Sequence, residues 1–137
     1  MKKVHTTNYS DTLIIPSEDC PASKGERPPH ASEKKSVAAL QFEMISLHPY
    51  QYTSDDVLFS VYAERNDIGT EQLEEARTAF FSKGQACFRA SPLTKRYGWG
   101  IHANGEGKIA AYSCQSKEYQ DLLNSGIKTI RAMRNKK

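Results

Sequence analysis

Tyr97-Gly98-Trp99-Gly100-Ile101-His102-Ala103, then Asn104-Gly105-Glu106-Gly107, then Lys108-Ile109-Ala110-Ala111-Tyr112-Ser113-Cys114 is the stretch that decides the fold. Two apolar, aromatic-bearing runs flank four turn-forming positions, which predicts a β-hairpin with strands Tyr97–Ala103 and Lys108–Cys114. In the first strand Tyr97, Trp99 and Ile101 share one face, while Gly98, Gly100 and His102 share the other. Glycine weakens a strand interior, so two on one face need a cause: a helix or ligand against the backbone, or room for a bulky neighbour. Around the hairpin the apolar spacing is helical, and that mixture makes the chain α+β.

Working outward, Leu73, Ala76 and Phe80 predict a helix from Thr70 to Lys83 with Gly84 as its stop. Before it, the β-branched and aromatic run Val57-Leu58-Phe59-Ser60-Val61-Tyr62-Ala63 reads as a strand. Val37, Leu40, Met44 and Leu47, widened by Phe42 and Ile45, predict a helix over 32–47 with Ser32 as its cap. Downstream, Ser116 opens a helix with Tyr119, Leu122 and Leu123 on its apolar face, and Ser125-Gly126 ends it. Ile127, Ile130 and Met133 recur every third residue, which suits a helical turn or a short strand. Near the start, Thr12-Leu13-Ile14-Ile15 is a strand candidate cut by Pro16, and Pro28-Pro29 forbids a helix. The expected organisation is an irregular, proline-rich extension over 1–35 and one α+β domain over 36–137. That domain would hold a mostly antiparallel sheet and about three helices.

Charge divides the chain more sharply than structure does. Residues 1–75 carry seven Lys/Arg against thirteen Asp/Glu, a balance of −6, and residues 76–137 carry twelve against three, a balance of +9. No acid falls between Glu75 and Glu106, where Arg89, Lys95 and Arg96 lie among Phe88, Tyr97 and Trp99. After Asp121 all charge is positive, including Lys128, Arg131 and Arg134. Cations at reachable spacing with an aromatic nearby suit phosphates and a stacked base. The competing reading pairs this half with the acidic one and leaves the aromatics in the core. If residues 128–137 were helical, Lys128, Arg131 and Arg134 would form one basic ridge.

Other chemistries find less footing. Cys20, Cys87 and Cys114 are odd in number and widely spaced, unlike a disulfide scaffold or a zinc site, and read as reduced thiols. Cys87 with His102 could serve a nucleophilic enzyme, yet no elbow motif or orienting acid accompanies them; Cys87 as a small buried hydrophobe is the alternative. Asp55, Asp56, Glu64 and Asp67 match no metal-ligand spacing, and Asp55-Asp56 reads as turn chemistry. Gly105-Glu106-Gly107-Lys108 lacks the long turn of a phosphate loop. No metal or cofactor is expected. No apolar run approaches the ~18 residues of a membrane span, and the polar Met1–Asn8 is unlike a secretory signal, so a cytoplasmic location is expected.

Three blocks carry a resemblance: Leu40-Gln41-Phe42-Glu43-Met44-Ile45-Ser46, Tyr52-Thr53-Ser54-Asp55-Asp56-Val57-Leu58-Phe59 and Cys87 through His102. Together they resemble a family of small bacterial proteins of unknown function, over nearly the whole chain. More distantly, residues 36–123 resemble the MmcQ/YjbR-like family at Asp55–Val61, Leu93–Trp99 and Lys117–Leu123. That resemblance implies an antiparallel sheet with helices, and its members have been suggested to bind DNA; fold alone does not carry function.

The leading expectation is a non-enzymatic module that binds nucleic acid or another polyanion. Its candidate residues are Arg89, Lys95, Arg96, Arg131 and Arg134, with Trp99 and His102 joining if exposed. The alternative is a module for an acidic protein or a small anionic ligand, with a pocket beside the Tyr97–Ala103 strand.

Overall fold

The computed structural model describes residues 5–29 and 36–135. A four-stranded sheet in the order β3-β2-β1-β4 forms its frame. The strands are β1 (Thr12–Ile15), β2 (Trp99–Ala103), β3 (Ile109–Ser113) and β4 (Lys128–Arg131). The hairpin forms as expected, with β2 and β3 antiparallel from Trp99 opposite Ser113 to Ala103 opposite Ile109. Its turn closes because Asn104 N–H donates to the Lys108 carbonyl while the Asn104 Oδ1 accepts from the N–H groups of Glu106 and Lys108. Gly107 takes the left-handed conformation there, φ +80°.

The segment before residue 36 contributes an inner strand. β1 pairs antiparallel with β2 and parallel with β4. The class is therefore α+β with a mixed sheet, two of its three pairings antiparallel. No helix among the described residues is long and apolar enough to cross a membrane.

Among the described residues there are five α-helices: α1 (Val37–Leu47), α2 (Ser54–Arg65), α3 (Leu73–Phe80), α4 (Pro92–Lys95) and α5 (Lys117–Asn124). The main core joins Ile14, Ile101, Ala103 and Ile109 of the sheet to Leu40 and Ile45 of α1, Val57 and Val61 of α2, and Phe88 and Leu93. The opposite sheet face receives α5, whose Tyr119 ring rests on Gly100; a Cβ there would lie 2.6 Å from the ring. Ser116 caps α5 as read from the sequence, accepting from Tyr119 N–H.

Residues 57–63 are the main correction, because they are helix rather than strand. Their alternating apolar pattern arises from burial on two sides. Val57 and Val61, four apart, enter the main core. Phe59 and Ala63, also four apart, enter a second cluster with Phe81, against which Leu73, Ala76 and Phe80 of α3 pack. Two helical stripes offset by two residues imitate the period of a strand. Asp55-Asp56 opens this helix instead of making a turn: Thr53 and Asp56 form a reciprocal capping box.

Smaller corrections follow the same logic. Ser36 caps α1 by accepting from Ala39 N–H, while Ser32 lies outside the described residues. Within α1, Leu47 is 71% exposed and Val37 36%; Gln41 lies inside instead, its Oε1 accepting from Ser91 Oγ. Thr70–Gln72 form a 3-10 turn ahead of α3, which ends at Phe80 because Phe81 turns into the second cluster, so Gly84 is not its stop. Ile127–Met133 resolve as strand β4 and its exit.

Candidate polyanion interface

Local packing fixes the backbone that carries Arg89, Lys95 and Arg96. Phe88, Leu93 and Thr94 are buried. Thr94 Oγ1 donates to the Phe88 carbonyl at 2.6 Å, tying a 3-10 turn, Phe88–Ala90, to α4. Ser91 caps α4 and Pro92 occupies its first position, where a missing N–H costs nothing. With the apolar residues turned inward, Arg96 is exposed and Arg89 and Lys95 are half-buried at the rim.

The chain leaving β4 runs along this rim. Ala132 N–H donates to the Ile15 carbonyl and Met133 N–H to the Arg89 carbonyl at 2.8 Å. Arg89 Nε donates to the Arg131 carbonyl at 2.8 Å. Asn135 stitches the far end: its Nδ2 donates to the Lys95 carbonyl at 2.8 Å, and its Oδ1 accepts from Arg96 Nε at 3.3 Å. Thus Arg89, Lys95, Arg96, Arg131 and Arg134, drawn from two separate stretches, meet along one edge. Glu18 and Asp19 share it. Arg134 approaches Glu18 at 3.9 Å with both side chains well exposed, and Asp19 accepts from the N–H and Nδ2 of Asn135.

Among the described residues, the guanidiniums of Arg89, Arg96 and Arg131 donate to carbonyl or amide oxygens, Arg131 Nη1 donating to Pro16 at 3.1 Å. Such bonds orient the cations without neutralising them, and each leaves further donors for an incoming anion. The basic helical ridge does not form, since Lys128 and Arg131 belong to a strand.

Trp99 and His102 do not join this edge. Trp99 is half-buried under the segment 22–27, its Nε1 donating to the Glu26 carbonyl at 2.8 Å and its ring tilted against Phe42 at 5.0 Å. Gly98 takes φ +76° with the Lys24 carbonyl where a Cβ would stand. The room that the two glycines open is therefore filled, by Tyr119 at Gly100 and by this segment at Gly98.

His102 instead belongs to a network that the sequence reading missed. Tyr50 Oη lies 2.7 Å from His102 Nδ1 and 2.9 Å from Tyr112 Oη. Burial lowers the His102 pKa, with Asp11 opposing, which favours the neutral ring. Burial and then the Tyr112 contact push Tyr50 well above the usual phenol range. One signal was available for Tyr112: on the hairpin it lies across from Gly100, on the face of His102. Tyr50 comes from the loop before α2, and nothing local marks it.

The remaining candidates have structural partners. Cys87 Sγ lies 3.5 Å from Tyr9 Oη, and that contact, ahead of burial, raises the tyrosine's pKa. Asp55 is buried and accepts from Thr6 Oγ1, Thr7 N–H and Thr7 Oγ1, each at 2.7 Å, fastening the N-terminal segment to α2. Asp56 pairs with Arg77 at 3.0 Å. Burial acts to raise the Asp56 pKa, but the Thr53 N–H and Arg77 more than offset it and hold the carboxyl below its usual range. Among the described residues no group of three or more His, Cys, Asp or Glu is arranged to hold a metal ion.

A family model described as a family of unknown function (DUF6157) matches residues 4–137. No curated protein and no solved structure matches the chain.

Proposed function

The chain belongs to the DUF6157 family, whose function is unknown, and from its geometry we propose a non-enzymatic module that binds nucleic acid along its basic edge. One observation carries this reading: the backbone stitching between residues 88–96 and 131–135 gathers Arg89, Lys95, Arg96, Arg131 and Arg134 along one edge, where among the described residues Arg89, Arg96 and Arg131 donate to neutral oxygens. Phosphate recognition asks for cations at reachable spacing with free N–H donors, and this edge offers both. The distant resemblance to the MmcQ/YjbR-like family favours DNA among the polyanions. Trp99 and His102 are not assigned to the interface, because each is engaged elsewhere.

Replacing both Lys95 and Arg96 with Glu tests the assignment. Measured by fluorescence anisotropy with labelled duplex DNA at low salt, the double variant is expected to bind at least tenfold more weakly. That loss corresponds to about 1.4 kcal/mol, a modest demand for two reversed charges. Circular dichroism must show the fold intact. Unchanged affinity would remove this edge from the interface, and retained binding to heparin alone would point to an acidic protein partner.

A further inference from the structure

Residues 22–27 form a strap across the start of β2. Gly25 N–H donates to Ser113 Oγ at 2.8 Å, Glu26 N–H to the Tyr97 carbonyl at 2.7 Å, and Trp99 Nε1 to the Glu26 carbonyl. The fit is close: a Cβ on Gly25 would stand 2.9 Å from both the Trp99 ring and Ser113 Cβ. Yet the strap itself is polar and largely exposed, with Ser23, Lys24, Glu26 and Arg27 at the surface. A segment held mainly by a few part-exposed hydrogen bonds opens more readily than the sheet beneath it.

Two thiols far apart in sequence bond to adjacent carbonyls of this strap. Cys20 Sγ donates to the Ala22 carbonyl at 3.6 Å, and Cys114 Sγ, just past β3, donates to the next carbonyl, Ser23, at 3.3 Å. Both cysteines are free and part-buried. Burial, and then the neighbouring Cys20 sulfur, push the Cys114 thiol up, which fits two sulfurs sharing one small site. Cys87 contacts Tyr9 instead. Cys114 is anchored to the sheet by its N–H to the Gly98 carbonyl, whereas Cys20 sits on a loop turn.

We propose that Cys20 and Cys114 form a redox latch that locks the strap over Trp99. The oxidant is a low-molecular-weight disulfide of the glutathione class. The thiolate of Cys20 attacks one of its sulfurs, forming a mixed disulfide and expelling one glutathione thiolate, which takes up the proton that Cys20 lost. Cys114 then attacks the Cys20 sulfur, forms the intramolecular disulfide and expels the second glutathione, which takes up the Cys114 proton. Two protein thiols are oxidised and one glutathione disulfide is reduced to two thiols. The cross-link ties the strap's start to the end of β3 and so removes its open conformations. It also steadies the turn in which Asp19 holds Asn135, at the margin of the basic edge. The latch does not depend on what that edge binds.

The test uses the full chain, folded, incubated with oxidised glutathione and mapped by mass spectrometry without reduction. A Cys20–Cys114 linked peptide is expected in the wild type and in Cys87→Ser, and not in Cys20→Ser or Cys114→Ser. Trp99 is the single tryptophan, so acrylamide quenching reads the strap directly. The quenching constant should be severalfold lower in the oxidised form and return on reduction. Glutathione adducts on both cysteines without the cross-link would overturn the latch, and so would a linked form quenched as readily as the reduced one.

Discussion

Tyr50 stands at φ +60°, a conformation that an aromatic residue seldom adopts. It places the phenol between His102 and Tyr112. Strain of this kind persists only where surrounding contacts hold it, here the Tyr50 N–H to the Ile109 carbonyl and the two hydroxyl bonds. The half-buried imidazole has a pH consequence. Its folded pKa lies below the ordinary 6.5, so the unfolded chain binds more protons between those two values. Stability therefore falls as pH drops from about 6.5 through the folded pKa and levels off below it. Urea melts across this range should show that loss in the wild type, and His102→Gln should flatten it. An unchanged pH profile in the variant would mean that His102 is not the group responsible. Asp56 acts in a separate, more acidic window: its depressed pKa makes stability fall below about pH 3.8. What the sequence disclosed at this scale was charge, because charge belongs to the residue itself. Arg89 and Lys95 could be named without a fold, whereas Tyr50 acquires its role only from partners in β2 and β3.

At the scale of elements, α2 shows how burial can disguise a helix. Reading Val57, Phe59, Val61 and Ala63 as one face of a strand assumes a single buried side, and α2 has two. The legible counter-signal was Thr53-Ser54-Asp55-Asp56, a capping box ahead of the apolar run. Thr53→Ala should cost about 1 kcal/mol, measured by chemical denaturation, since it leaves the Asp56 N–H without its side-chain acceptor. A cost near zero would imply that Asp55, bound by Thr6 and Thr7, fixes the start of α2 unaided. The hairpin and α5 were readable because turn and cap residues act locally. β4 was not, because its strand character rests on parallel pairing with β1, from Thr12 opposite Lys128 to Ile15 opposite Arg131. That pairing spans most of the chain, and a three-residue apolar spacing is blind to it.

The fold joins the two charge halves into one body, and among the described residues it draws five cations of the basic half to one edge. The cross-half pairs Arg77–Asp56 and Arg134–Glu18 exist, but an exposed pair at 3.9 Å contributes little. Arg89, Arg96 and Arg131 are directed by neutral oxygens instead. The charge division was legible in the sequence. Its concentration on one edge was not, because that depends on β4 delivering Arg131 and Arg134 beside residues 88–96. A field of this kind attracts polyanions and weakens with added salt. The most direct measurement is the affinity for duplex DNA, by anisotropy, between about 50 and 200 mM salt. Each phosphate contact adds about −0.9 to the slope of log K against log salt. Three to five contacts therefore predict a slope of about −3 to −4.5, and the Lys95→Glu, Arg96→Glu variant should be shallower by about 2. No binding at the lower salt, or a slope that the double variant leaves unchanged, would contradict a polyanion interface on this edge.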